Sequence, residues 1–201
     1  LKEIQKIIRI NPYKKGEFIF FEGEPGEALF LVKEGKIKLT KMVESGEEQI
    51  INILKPGDIF AEVILFDGGN YPVTASTLED STLGLIKGRD MNQLIQNSPS
   101  IALKILKVMS GRLRRAQKRI RDLGLRDTTS RTAGALIYLA KEHGFGDENE
   151  VEINLALTQQ NLANLIGTSR ETVSRILNQF KDESLVTTSR QKIVVKDLKG
   201  L

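Results

Sequence analysis

The strongest constraint on this chain is a change of period at Asn97-Ser98-Pro99. Upstream, over residues 12–97, short runs rich in Phe, Ile, Val and Leu alternate with glycine-containing turns: EFIFFEGEPG, ALFLVKEGKIKLTKMVESG, EEQIINILKPGDIF, STLGLIKG. Turn signals at this density predict an all-β roll or sandwich. Within it, IKLTKMV alternates as a half-buried strand does. Downstream, Leu106, Met109, Leu113, Ala116, Ile120 and Leu123 recur in steps of 3 and 4. That is an a/d heptad seam. Ser98 reads as the cap of this helix, with Pro99 at its first position. The stripe is narrow and its flanks are charged: Arg112, Arg114, Arg115, Lys118, Arg119, Arg121 and Arg126. This favours a two-stranded coiled coil over burial against the chain's own domain.

A second helix is expected over 128–142, with Ala133, Leu136, Ile137 and Ala140 on one side and Gly144 as its stop. An acidic loop, GDENE, and an alternating run, VEINLAL, follow. TQQNLANLIG reads as a short helix. Thr158 caps it, Leu162, Leu165 and Ile166 face inward, and Gly167 supplies a positive-φ turn. The small Ala163 suits a tight helix crossing. The next helix, 169–182, is two-faced at 100° per residue. Val173, Ile176, Leu177 and Phe180 occupy one side, and Arg170, Glu171, Ser174 and Arg175 the other. Helix, glycine turn and amphipathic helix make a helix-turn-helix. The strand before it and the two strand-like runs in LVTTSRQKIVVKD predict a winged helix.

The exposed patch has the chemistry to read bases. Arginine offers a donor fork to guanine O6 and N7, and glutamate accepts from the cytosine amino group. Thr158, Gln159, Gln160, Thr168 and Ser169, with the helix N-terminus, are candidates to hold phosphates. The same residues also fit a helix that touches nothing. Thr168-x-x-Glu171 matches a capping box, and Glu171/Arg175 an i,i+4 ion pair.

Charge agrees with a nucleic-acid partner for one half only. Residues 1–97 hold 12 Lys+Arg against 15 Asp+Glu, and residues 98–201 hold 18 against 11. The chain has no cysteine and one histidine, His143. This speaks against disulfides, thiolate sites, Cys-ligated iron–sulfur clusters and His-ligated haem in the first half. His143 itself fits a helix C-terminus or the surface better than a catalytic role. No apolar run nears the roughly 18 residues of a membrane span. The charged opening LKEIQKIIRI is no signal peptide, so a cytoplasmic protein without a membrane partner is expected.

With these elements in order, the chain resembles the CRP/FNR family of bacterial transcription regulators, named for the cAMP receptor protein and the fumarate–nitrate regulator. SRETVSRIL at 169–177 is close to that family's recognition helix, and PGDIFAEVILFDGG at 56–69 resembles its phosphate-binding cassette. The fold expected is α+β: a jelly-roll, cyclic-nucleotide-binding-like β-roll over 1–97, a dimerisation helix over 98–126 and a winged helix-turn-helix over 127–201. The resemblance implies a homodimer on double-stranded DNA, working with RNA polymerase. Arg170, Glu171 and Arg175, with Ser174, would read a TGTGA-like half-site of a palindrome, or a related TTGAT-like one.

The sensor departs from the cAMP pattern. Glu62 matches the cassette glutamate, but Pro72 and Val73 stand where cAMP binders place Arg and Ser. Proline offers neither charge nor N–H. On the long helix, Ala116 and Gln117 replace the adenine-contacting Thr-Ser. The implied effector pocket is Glu62, Leu65, Pro72, Val73, Arg112, Leu113, Ala116 and Gln117. Its effector is unidentified and is expected not to be cAMP. Arg112, Arg115 or Arg119 could supply a replacement cation. The competing readings are a constitutive regulator without an effector, and a cupin-type jelly-roll enzyme. The enzyme lacks histidine ligands inside the roll.

Overall fold

The computed structural model describes residues 4–42, 46, 48–147, 150–155, 157–189 and 192–201. The polar turn expected at Arg190-Gln191, part of the acidic loop (Glu148-Asn149), Val43 of the alternating strand and Ala156 of VEINLAL lie outside them. In chain order the elements are α1 (Ile4–Ile7), β1 (Arg9–Tyr13), β2 (Phe18–Phe20), β3 (Ala28–Glu34), β4 (Ile37–Met42), β5 (Glu48–Leu54), β6 (Ile59–Phe60), α2 (Ile64–Asp67), β7 (Thr74–Thr77), β8 (Ser81–Lys87), α3 (Gly88–Asn97) and α4 (Ser100–Leu125). Then come α5 (Thr128–His143), β9 (Gly144–Gly146), β10 (Val151–Ile153), α6 (Gln159–Ile166), α7 (Arg170–Asp182), β11 (Val186–Ser189) and β12 (Lys192–Val195). They cluster into two compact units, Leu1–Ala116 and Gln117–Leu201. None of the described helices is long and apolar enough to cross a membrane.

The first unit is a β-roll of two antiparallel sheets, ordered β1-β8-β3-β6 and β2-β7-β4-β5. Successive side chains on a strand point to opposite faces, so β3 serves two cores. Phe30 and Val32 face the core between the sheets, with Phe60 and Leu83 of their own sheet and Phe20, Ile37, Leu39 and Leu54 of the partner sheet. Leu29 faces outward, under Met91, Leu94 and Ile105. Phe20 stacks on Tyr71 at 3.9 Å and Phe30 on Phe60 at 5.1 Å. Burying a residue such as Phe60 completely contributes roughly 1.5–3 kcal/mol. The Tyr71 hydroxyl donates to the Ala28 carbonyl (2.9 Å) and accepts the Ala28 N–H (3.1 Å). Burial pushes that phenol above its ordinary pKa. At Gly35, with φ +82°, a Cβ would lie 2.2 Å from the Ser81 hydroxyl, so the β3–β4 turn requires glycine.

The strand reading extends too far at its end. Residues 88–97 form α3. Met91 and Leu94 are buried on Leu29, with Ile95 half-buried beside them. Ten residues between Gly88 and Pro99 are too few for helical periodicity to stand out. Ser98 ends α3: its N–H donates to the Leu94 and Ile95 carbonyls, and its own carbonyl accepts the Ile101 N–H. The residue before a proline is driven from α geometry, and Ser98 has φ −143°.

In the second unit α5, α6 and α7 pack with a sheet ordered β11-β12-β10-β9. Leu136, Leu139, Leu162, Ile176 and Leu177 are among its fully buried side chains. Leu165, expected inside, is half-buried. Gly144 ends α5 in extended geometry (φ −84°). His143 is 7 % exposed, so it is a core residue of the last turn of α5 and not a surface one.

Candidate functional site

Gly167 ends α6 in the left-handed region (φ 77°, ψ 56°), and its N–H and that of Thr168 both donate to the Ala163 carbonyl. Ala163 is fully buried, which lets the two helices approach closely. The chain then enters α7. Val173, Ile176, Leu177 and Phe180 anchor that helix in the core. Arg170, Glu171 and Arg175 are exposed and Ser174 is half-buried. These four line one concave surface with Gln159, Asn178, Gln179, Asp182 and Glu183.

Two local expectations change. The α7 cap is Ser169, whose hydroxyl accepts the Thr172 N–H at 3.2 Å, and not Thr168. No ion pair joins Glu171 to Arg175 among the described residues. Glu171 sits in the first turn instead. Its own backbone N–H, then the Ser169 hydroxyl, hold its carboxyl below the ordinary range. The face therefore presents an ionised acceptor at neutral pH, with the Arg170 charge beside it, and two guanidinium groups that form no ion pair within 4 Å among the described residues. Such a set can satisfy the donor and acceptor edges of base pairs.

The residues proposed for phosphate are differently placed. Thr158 caps α6 in a reciprocal box: its hydroxyl accepts the Asn161 N–H (3.1 Å), and Asn161 Oδ1 accepts the Thr158 N–H (3.1 Å). The Gln160 amide donates to Asn164 Oδ1 at 2.7 Å. Gln159 is half-buried, and it alone of this group lines the α7 surface. Asn178, absent from the sequence-level candidates, also lines it. Extending the 100° rule by one more turn would have found it.

In the roll, Glu62 and Arg112 are brought together. Arg112 donates Nη1 to Glu62 Oε1 and Nη2 to the Ile59 carbonyl. The Glu62 side chain is 3 % exposed, and its Oε2 has no hydrogen-bond partner among the described residues. Of the three arginines considered as replacement cations, Arg112 is thus committed to the glutamate. Arg119 lies 6.0 Å over the ring of Tyr138. Pro72 is exposed, Val73 packs on the roll core, and Leu65 packs on the second cluster. Leu113, Ala116 and Gln117 are exposed along α4.

The seam of α4 is likewise open. Leu106, Leu113, Ile120 and Leu123 are 50 %, 61 %, 70 % and 57 % exposed. Met109 is half-buried against the second roll cluster.

Comparison with known proteins decides the family. Residues 10–98 match the cyclic nucleotide-binding domain and residues 130–201 the Crp-like helix-turn-helix domain. The CRP-like cAMP-activated global transcriptional regulator of Mycobacterium tuberculosis is 30 % identical over 189 residues, covering 94 % of this chain and 84 % of its own. The chain belongs to the CRP/FNR family of transcription regulators. The cyclic AMP receptor protein of Thermus thermophilus is 32 % identical over 185 residues, 92 % of this regulator and 82 % of its own length. A solved CRP/FNR-family regulator from T. thermophilus superposes with a TM-score of 0.79 at 27 % identity, over 96 % and 95 % of the two chains. FixK2 from Bradyrhizobium japonicum shares the fold of this CRP/FNR regulator, with a TM-score of 0.84 at 24 % identity over 96 % and 95 %.

Proposed function

We propose that this regulator acts as a homodimer joined along α4, placing two copies of α7 in successive major grooves of a palindromic, TGTGA-like operator. One observation carries the reading. Arg170 and Arg175, which form no ion pair among the described residues, and the ionised Glu171 share an exposed face of a helix whose other face is locked in the core. A two-fold dimer would set the recognition helices about 34 Å apart, one turn of DNA. The open apolar stripe of α4 supports the dimer, since isolated exposed aliphatic residues are common but four at heptad-type spacing, Leu106, Leu113, Ile120 and Leu123, fit a partner's footprint. The β-roll, 1–97, would sense an effector, 98–126 would couple, and 127–201 would bind DNA.

The effector is read as a small molecule other than cAMP. The M. tuberculosis and T. thermophilus relatives are named for cAMP, but another relative, from Synechococcus elongatus, is a global nitrogen regulator, so family membership leaves the ligand open. Pro72 and Val73 offer no cation to a cyclic phosphate. A second reading, a regulator active without an effector, is favoured by the Arg112–Glu62 contact, which already ties helix to roll.

The test is selection of duplexes from a random pool by the purified protein, followed by Glu171→Ala and Gln160→Ala. Glu171→Ala should relax base choice at one symmetric position. Gln160→Ala should leave the selected sequence unchanged. A pool without palindromic enrichment sinks the proposal. Melting the protein with cyclic nucleotides and small organic acids separates the two sensor readings, because a bound effector raises Tm by mass action.

A further inference from the structure

We propose that Asn178 is a further specificity-determining residue of α7, hydrogen-bonding the N6 and N7 edge of an adenine outboard of the bases faced by Arg170, Glu171, Ser174 and Arg175. The inference rests on the reading of α7 as the DNA-reading helix and adds a position to it. At 100° per residue from Arg170, Asn178 falls at about 80°, between Ser174 at about 40° and Glu171 at about 100°. It is therefore central on the exposed face, and it is exposed and lines the same concave surface.

Its amide is also uncommitted. Among the described residues no hydrogen bond engages the Asn178 side chain, whereas the neighbouring Gln179 amide donates to Glu183 Oε1 at 3.0 Å. Asparagine can pair both the acceptor N7 and the donor N6 of adenine at once, a match no other base edge in the major groove provides. A helix rises about 1.5 Å per residue, so Asn178 lies about 6 Å beyond Ser174 along the axis. That is about two base steps. The next residue near this line is Asp182, at about 120°, followed by Glu183. These two carboxylates close the concave surface beyond Asn178, while the exposed Lys181, at about 20°, is the residue placed for a phosphate on the adjoining side.

The experiment measures binding of the full chain to the palindrome it selects and to variants carrying each base at each position, across a range of salt. Bidentate pairing is worth roughly 5- to 150-fold between right and wrong base. For Asn178→Ala that discrimination should fall toward unity at one symmetric pair of positions, with other preferences and the salt slope unchanged. Asn178→Arg should move the preferred base there from adenine to guanine. An unchanged preference profile in both variants overturns the proposal. So does a uniform loss of affinity with a shallower salt slope, which marks a phosphate contact. If Glu171→Ala relaxes its own position while Asn178→Ala relaxes none, the helix reads DNA but this residue does not. If the wild-type chain selects no sequence, the reading of the whole face fails with it.

Discussion

Arg112 of α4 reaches into the roll with both ends of its guanidinium, one to the buried carboxylate of Glu62 and the other to the carbonyl of Ile59. The pair links the segment between β6 and α2 to the helix that carries the apolar seam. Removing one member of a buried pair leaves an uncompensated charge, which costs about 3–5 kcal/mol when both groups are enclosed. A quarter of the Arg112 side chain is exposed, 26 %, so the loss should be smaller.

Arg112→Leu should therefore destabilise the roll by about 2–4 kcal/mol, read as a lower urea midpoint. Glu62→Gln keeps an acceptor for Arg112 and should cost less. Equal midpoints for wild type and Arg112→Leu would show that the contact carries no energy.

Ile120→Glu places a charge in the proposed seam at its most exposed large residue of the four. Sedimentation should then report a monomer with unchanged helical content. Binding to a full palindrome should fall towards that of a half-site. A dimer that survives this substitution and Leu113→Glu is held elsewhere.

Ser169→Ala removes the α7 cap and should cost about 1 kcal/mol of stability. Thr168→Ala, one residue earlier, should cost little, because Thr168 does not cap. The reverse ranking by thermal unfolding would restore the Thr168 box.

Asp127 caps α5, accepting the Ser130 N–H at 2.7 Å, and that bond holds its carboxyl below the ordinary range. A carboxylate with a depressed pKa stabilises the fold fully above the normal carboxylate range. That contribution declines as pH drops through the depressed value. Asp127→Asn retains a capping side chain without the titration. The Tm advantage of wild type over Asp127→Asn should therefore shrink on acidification. A constant difference would mean that the charge plays no part.

Ala61, next to Glu62, holds φ 61°. A side chain in the left-handed region costs roughly 1 kcal/mol, partly offset by the greater freedom of an unfolded glycine. Ala61→Gly should leave stability equal or raise it slightly by urea unfolding. A clear loss would show that the Ala61 methyl, half-buried against the roll core, contributes more than the strain removes.

Much of the architecture is written locally. The alternation in IKLTKMV, the heptad steps from Leu106 to Leu123 and the glycine between α6 and α7 each follow from backbone geometry, since side-chain direction repeats every two residues in a strand and every 3.6 in a helix. The two faces of α7 were legible for the same reason, and so was the family. Interactions between distant segments were not. That Glu62 meets Arg112, fifty positions on, and not another arginine of the same basic helix depends on how α4 lies across the roll. That Ser169 and not Thr168 caps α7 depends on Thr168 being drawn back to the Ala163 carbonyl by the turn at Gly167. That α3 is a helix depends on the outer face of β3 and β8 needing Met91 and Leu94 as cover. Periodicity fixes which way side chains point along one element. Only packing decides which of several equivalent partners they meet.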